Sequence, residues 1–159
     1  MSNEDLSGAV TKPDRPRDEL GRPLPAGSVN RLHLLNFDAL TVEENHALAI
    51  EFFDACNYFG AHEAWETCWA QSKGTEEEEV FKGFAQLGAG YTHWARGNPR
   101  GVHALLGRAL ERIRLRGSPF RGVDTDAFAA ILEGDVASMV GLDRGEQPEL
   151  NERRVPRVA

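Results

Sequence analysis

Cysteine is scarce in this sequence, and long apolar runs are missing from it. The 159 residues include two cysteines, Cys56 and Cys68, which is too few for the disulfide framework of a small secreted protein. The longest uncharged stretch of the apolar middle covers residues 83–95, whereas a helix needs about 20 apolar residues to span a bilayer. The first 30 residues lack the apolar run of a signal peptide. We therefore expect a cytoplasmic protein that does not cross the membrane.

Lysine is also scarce, and the charge balance is acidic. The 18 basic residues include only three lysines, Lys12, Lys73 and Lys82, and the net charge is −7. Because non-specific nucleic-acid binding depends on neutralising phosphates, we expect no nucleic-acid partner. Between Arg100 and Arg121, however, six arginines accompany one acidic residue. This segment is predicted to be a solvated helix flank, and it is where an acidic protein partner would bind.

Proline marks the ends of the chain as different from its middle. Four of the eight prolines lie between Pro13 and Pro25, interleaved with arginine, aspartate and glycine, a composition typical of an extended segment. The length suits one domain with its own apolar core. The predicted organisation is an extended arm at residues 1–36, a helical bundle at 37–141 and a tail at 142–159. Because such arms can pack against a second copy of the chain, we expect a homodimer.

No segment shows the alternation of a β-strand, so the predicted fold class is all-α. Apolar residues instead recur at helical spacing, and short connections favour a single compact bundle of about five helices. The third and fourth helices are expected to form an antiparallel hairpin around Gly97. The predicted helices cover residues 42–56, 61–71, 76–96, 99–115 and 125–139.

Local signals predict where these helices begin. Thr41 and Glu44 form a capping box for the first helix, and Thr75 with Glu78 forms a second one for the third helix. Asn98 is the predicted cap of the fourth helix. The remaining histidines, His46 among them, are expected on exposed helix flanks.

The second predicted helix carries an unusual face. His62 and Glu66 are four residues apart and share that face with Trp65 and Trp69. A carboxylate on a largely apolar face is costly unless it is paired, protonated or bound to a cation. His62, one turn away, is the nearest candidate partner for Glu66.

The third predicted helix carries a second unusual line, formed by Gly83, Gln86, Gly90 and His93. Glycine in a helix costs about 1 kcal/mol relative to alanine, so two glycines on one line suggest that a neighbouring helix approaches closely. If that neighbour is the second helix, a polar site forms between helices two and three. The predicted ligand-binding residues of that site are His62, Glu63, Glu66, Gln86 and His93, with Glu63 and Gln86 in or beside its outer shell.

Three interpretations of this cluster remain open. It is a buried hydrogen-bond network in a non-catalytic structural or protein-interaction module. Alternatively, His62, Glu66 and His93 hold a divalent metal ion, with Zn, Mn or Fe as the candidates. In the third interpretation, a metal-free pocket binds a small polar ligand, or Glu66 and His93 perform acid–base catalysis. The segment HEAWE matches only the first half of the zinc-peptidase motif, because Glu66 stands where a second histidine is needed.

Two runs of the sequence carry a family resemblance. They are FFDACNYFGAHEAWETCW (residues 52–69) and FKGFAQLGAGYTHWARGNPRGVHALL (residues 81–106). Over about residues 45–115 the chain resembles the family called domain of unknown function 309. The resemblance implies a compact helical bundle and no particular reaction. It places the family's positions at His62, Glu63, Glu66, Trp69, Gly83, Gln86, His93, Gly97, Asn98 and Gly101.

Overall fold

The structure is a computed structural model that describes residues 22–27, 36–98, 101–138 and 154–158. Helices make up nearly all of its regular structure. Within these residues there is no β-strand, only isolated bridges, so the predicted all-α class is confirmed. No helix described here has the length and apolar character of a membrane span. After a 3-10 turn at Phe37–Ala39, the α-helices are α1 Val42–Asp54, α2 Tyr58–Gln71, α3 Glu78–Ala95, α4 Val102–Ile113 and α5 Thr125–Ser138.

The capping box at the start of α1 is present as predicted. The Thr41 hydroxyl accepts from the Glu44 amide at 3.1 Å, and the Glu44 carboxylate accepts from the Thr41 amide at 2.9 Å. Helix α2 begins three residues earlier than predicted. The cause is Asn57, whose side chain accepts from the Gly60 amide at 3.0 Å and so caps an earlier first turn.

Two of the predicted caps were wrong. The Thr75 hydroxyl accepts from the Glu77 amide, and the Glu78 carboxylate accepts from Gly74, so the reciprocal box before α3 does not form. At the start of α4 the N-cap is Gly101 rather than Asn98. Gly101 has φ of +84°, a backbone conformation that only glycine adopts without strain, and this moves the first turn of α4 beyond the predicted cap.

Helix α3 lies at the centre of the bundle, with α2 on one side and α4 on the other. A Cβ built on Gly83 would lie 2.7 Å from Arg112 Cβ of α4, whereas one built on Gly88 would lie 2.7 Å from His62 Cα of α2. The line of Gly83 and Gly90 therefore faces α4, and the prediction that it faces the second helix was wrong. Gly88, outside that line, is the glycine that lets α2 approach.

The core is rich in aromatic rings, and one histidine lies among them. His46 is 5% exposed, so its predicted place on an exposed flank was wrong. Its ring packs edge-on against Phe81 and Phe84, with centroids 5.5 and 5.6 Å away. His46 Nδ1 accepts from the Trp65 indole at 3.0 Å. His46 thus orients Trp65 towards the core and away from the face that carries His62.

The described part of the predicted C-terminal tail, residues 154–158, packs on the bundle. Val155 is buried, and its amide donates to Asp54 Oδ1 at 2.8 Å. Arg157 pairs with the same carboxylate. Further along, the Asp124 amide donates to Pro156 O at 2.9 Å. Most of the predicted N-terminal arm lies outside the described residues.

Removing the Asp54 carboxylate is expected to detach this segment from α1. Asp54→Ala leaves the Val155 amide without its acceptor and removes an ion pair to half-exposed Arg157, so we expect a loss of about 1–2 kcal/mol in the free energy of unfolding. Asp54→Asn keeps an acceptor and should lose less. Urea unfolding measures both, with Glu51→Ala on the exposed side of α1 as the control. Equal stability of Asp54→Ala and the control would contradict this prediction.

Candidate functional site

His62 is held in one orientation by the backbone of α3. Its Nδ1 lies 2.8 Å from the carbonyl oxygen of Ala85. A carbonyl oxygen only accepts hydrogen bonds, so Nδ1 carries the proton and donates. In the neutral ring the other nitrogen, Nε2, then presents a lone pair. The backbone of α3 therefore selects the tautomer of His62 in which Nε2 can bind a cation.

Two carboxylates face this nitrogen. His62 Nε2 lies 3.7 Å from Glu63 Oε2 and 3.6 Å from Glu66 Oε2, and one ligand atom from each of the three residues lies within 4.8 Å of the others. Both distances are longer than a hydrogen bond. With a neutral imidazole, three electron-pair donors face one another with no proton between them. This arrangement is unfavourable unless the imidazole becomes protonated or a cation binds among them.

The distances from His62 Nε2 suit a single bound cation. Two bonds of ~2.1 Å to one ion at the tetrahedral angle separate their ligand atoms by about 3.4 Å, close to the 3.6 and 3.7 Å from this nitrogen to the two carboxylates. The side chains of His62, Glu63 and Glu66 are 21%, 14% and 44% exposed. The group is therefore open to solvent on one side, unlike a fully buried hydrogen-bond network.

Close packing of α2 on α3 determines where the group sits. A Cβ on Gly88 would lie within 2.9 Å of three atoms of His62, namely N, Cα and Cβ. With only a hydrogen at that position, the two backbones approach and the His62 ring reaches the Ala85 carbonyl. The site thus depends on one glycine and one backbone carbonyl of α3.

The other two predicted site residues lie outside the group. Gln86 Oε1 accepts from Arg112 Nη1 at 3.3 Å and so contacts α4. His93 is half-buried, and burial lowers its pKa, with a smaller contribution from the positive charge of Arg96. The structure therefore brings together His62, Glu63 and Glu66, and His93 is not among the grouped residues. Glu63, predicted in or beside the outer shell, belongs to the inner group.

The line along which α2 packs on α3 is called the seam below. Side-chain cations lie over aromatic rings at both of its ends. At one end Arg96 lies over the Phe59 ring, 5.5 Å from its centroid. At the other end Lys73 and Lys82 lie 5.3 and 5.4 Å from the centroid of Trp69. Sequence reasoning did not place these three cations near the site. The scarcity of lysine was a signal that could have drawn attention to Lys73 and Lys82.

The arginine-rich segment is largely paired within the chain. Arg112, Arg116 and Arg121 contact the acidic run at the start of α3, with nitrogen–oxygen distances of 3.3, 3.0 and 2.8 Å. Arg114 pairs with Glu133 of α5 at 3.1 Å. These arginines join helices to one another.

Comparison with known proteins gives a family resemblance over part of the chain and no activity. Residues 47–105 match the family model described as "Domain of unknown function (DUF309)". The predicted resemblance is therefore confirmed over this segment, which includes the three grouped residues together with Gln86 and His93. No curated protein and no solved structure matches the chain.

Proposed function

We propose that the protein binds a divalent metal ion through His62 Nε2 and the carboxylates of Glu63 and Glu66. The observation that carries this proposal is the convergence of three ligand atoms around a histidine whose other nitrogen is held by a backbone carbonyl. In metalloproteins such a hydrogen bond orients the ligand imidazole and raises its basicity. A donor set of one imidazole and two carboxylates suits Zn, Mn or Fe.

The three protein ligands do not fill the coordination shell of a divalent ion, as is typical of metal sites that act on small molecules. Three protein ligands leave at least one coordination position for water or another oxygen ligand. Two carboxylates also offset the charge of a divalent ion. Such an ion polarises a bound oxygen and lowers the pKa of bound water. His93, whose pKa burial lowers, is the proposed proton acceptor.

Metal binding is the direct test. Each of Zn²⁺, Mn²⁺ and Fe²⁺ is added to the metal-free protein, and binding is followed by calorimetry and thermal unfolding. A metal at about 100 times its Kd stabilises the folded state by ~2.7 kcal/mol, or about 5–10 °C for a chain of this size. His62→Gln and Glu66→Gln should each weaken binding more than ~100-fold, because loss of an outer-shell partner alone costs 10–100-fold.

Matched controls and the metal-free protein separate the interpretations. His103→Gln and Glu111→Gln on exposed positions of α4 should bind metal like the wild type. Without metal, Glu66→Gln should be at least as stable as the wild type, because it removes one of two facing negative charges. If none of the three metals binds and Glu66→Gln is destabilised, the cluster is a structural network instead.

We also propose that the chain assembles as a homodimer, on the grounds of its long terminal segments. Sedimentation of a 17.6 kDa species at high protein concentration would overturn this. An acidic protein partner at the arginine-rich segment would compete with the glutamates that already pair there.

A further inference from the structure

Two of the three lysines of the chain meet at one ring beside the proposed metal site. Lys73 follows α2, and Lys82 belongs to α3, yet both ammonium groups lie within 5.4 Å of the centroid of Trp69. Everywhere else in the described residues the basic side chain is arginine. Two ammonium groups, which act as point charges, therefore lie at one ring, whereas arginine carries its charge on a planar guanidinium.

Helix geometry places these lysines at one end of the metal group. Trp69 is three residues beyond Glu66 on the same stripe of α2, about 4.5 Å further along the helix axis. On α3, Lys82 precedes Ala85 by three residues, and the Ala85 carbonyl accepts from His62. Since α2 and α3 run antiparallel here, both offsets point in the same direction. The ammonium groups therefore lie at the end of the seam that Trp69 occupies, beyond Glu66.

At the lysine end of the seam, three hydrogen-bond donors have no acceptor among the described residues. Within the described residues neither Lys73 nor Lys82 forms an ion pair, and the buried Trp69 Nε1 has no hydrogen-bond partner there. The face of Trp69 stabilises a cation by attraction to its π electrons, but two ammonium groups near one ring also repel each other. An anion that contacts both ammonium groups offsets this repulsion.

A metal ion makes the need for an anion stronger. A divalent ion that neutralises Glu63 and Glu66 makes this part of the seam more positive, although the Glu78 carboxylate, which accepts from the Gly74 amide, also lies at this end. A phosphate group has enough oxygens to contact the metal and both ammonium groups at once, whereas a carboxylate has only two. Lysine is also a common point-charge partner of phosphate in proteins.

From these contacts and charges we infer that the seam binds a small phosphate-bearing ligand, with one phosphate oxygen on the metal and the others on Lys73 and Lys82. This inference rests on the proposed metal site. It specifies the class of ligand that this site takes, either inorganic phosphate or a phosphate monoester.

The experiment uses the Mn²⁺-loaded full chain and inorganic phosphate as the probe. Paramagnetic Mn²⁺ broadens the ³¹P signal of phosphate bound beside it, and calorimetry gives the phosphate affinity. We expect broadening that depends on the protein, and about tenfold weaker phosphate binding in Lys73→Gln/Lys82→Gln. The Mn²⁺ affinity of this double variant should be retained, which also shows that it folds. Arg108→Gln, an exposed cation of α4, is the control and should bind phosphate like the wild type.

The possible outcomes separate this inference from the proposed metal site. If none of Zn²⁺, Mn²⁺ and Fe²⁺ binds, both fail; if only Zn²⁺ or Fe²⁺ binds, calorimetry with that metal and phosphate replaces the Mn²⁺ measurement. Mn²⁺ binding without protein-dependent broadening of ³¹P, or unchanged phosphate affinity in the double variant and in each single lysine variant, overturns this inference alone. Glycerol 2-phosphate serves as a second probe: tighter binding than inorganic phosphate identifies a monoester, and equal or weaker binding identifies the free ion.

Discussion

Gly88→Ala is expected to lower the free energy of unfolding by about 1–2 kcal/mol. The added Cβ would lie 2.7 Å from His62 Cα and 2.8 Å from His62 N, and backbone atoms cannot move aside as the end of a flexible side chain can. Overpacking of this kind costs about 1–3 kcal/mol. This cost outweighs the gain of about 1 kcal/mol in helix stability that alanine has over glycine. Thermal and urea unfolding measure the change.

Gly107→Ala is the matched control for this prediction. Gly107 also lies inside a helix, α4, but a Cβ there would meet nothing within 4 Å. This variant should be more stable than the wild type by up to about 1 kcal/mol. Gly88→Ala should also weaken metal binding, because it displaces the backbone of His62. If both alanine variants gain stability, the close approach of α2 and α3 at Gly88 is wrong.

Acidification is expected to destabilise the protein through His46. The indole of Trp65 can only donate, so His46 Nδ1 is unprotonated and the buried ring is neutral. Burial lowers the pKa of His46 from 6.5 to about 4, and the positive charge of Arg121 contributes in the same direction. Arg121 is itself held by Glu77, whose pKa it lowers through their hydrogen bonds.

The sign of the effect follows from proton binding. Between pH 6.5 and about pH 4 the unfolded chain binds a proton at His46 that the folded chain does not, so stability falls as the pH falls through this range. The loss contributed by His46 is about 3 kcal/mol once the pH is below its folded pKa. Urea unfolding at a series of pH values measures it.

His46→Gln isolates this contribution from the carboxylates that also protonate in acid. Glutamine offers an acceptor to Trp65 but does not titrate, so the stability of this variant should vary less between pH 6.5 and 4. His103→Gln, on an exposed position of α4, should keep the slope of the wild type. A wild-type profile parallel to that of His46→Gln would contradict the role of His46.

The sequence by itself determined the helices, because their signals are local. The capping pair Thr41 and Glu44 and the helical spacing of apolar residues act within a few residues of the chain. Gly97 ends α3 with φ of +78° because glycine tolerates that conformation. The errors at the starts of α3 and α4 were equally local: the N-cap residues are Glu77 and Gly101, and neither helix has a side-chain cap.

The core of the site was also partly determined by the sequence. Four-residue spacing on a helix brings His62 and Glu66 together whatever the rest of the fold does. Adjacent Glu63 joins them because its side chain turns towards the same nitrogen. Helical periodicity alone placed Glu63 beside the group rather than in it, since it does not specify side-chain rotamers.

Only the tertiary structure decided how the helices face one another. Periodicity showed that Gly83 and Gly90 share a line, but the side of α3 taken by α2 depends on how the chain turns between helices. In the structure, the line of Gly83 and Gly90 packs against α4, and Gly88 packs against α2. It also brings Lys73 and Lys82 to Trp69 and buries His46 among rings from other elements. Apart from the pair of Lys73 and Trp69, which are four residues apart, these contacts join residues distant in sequence, so they depend on packing that no local pattern encodes.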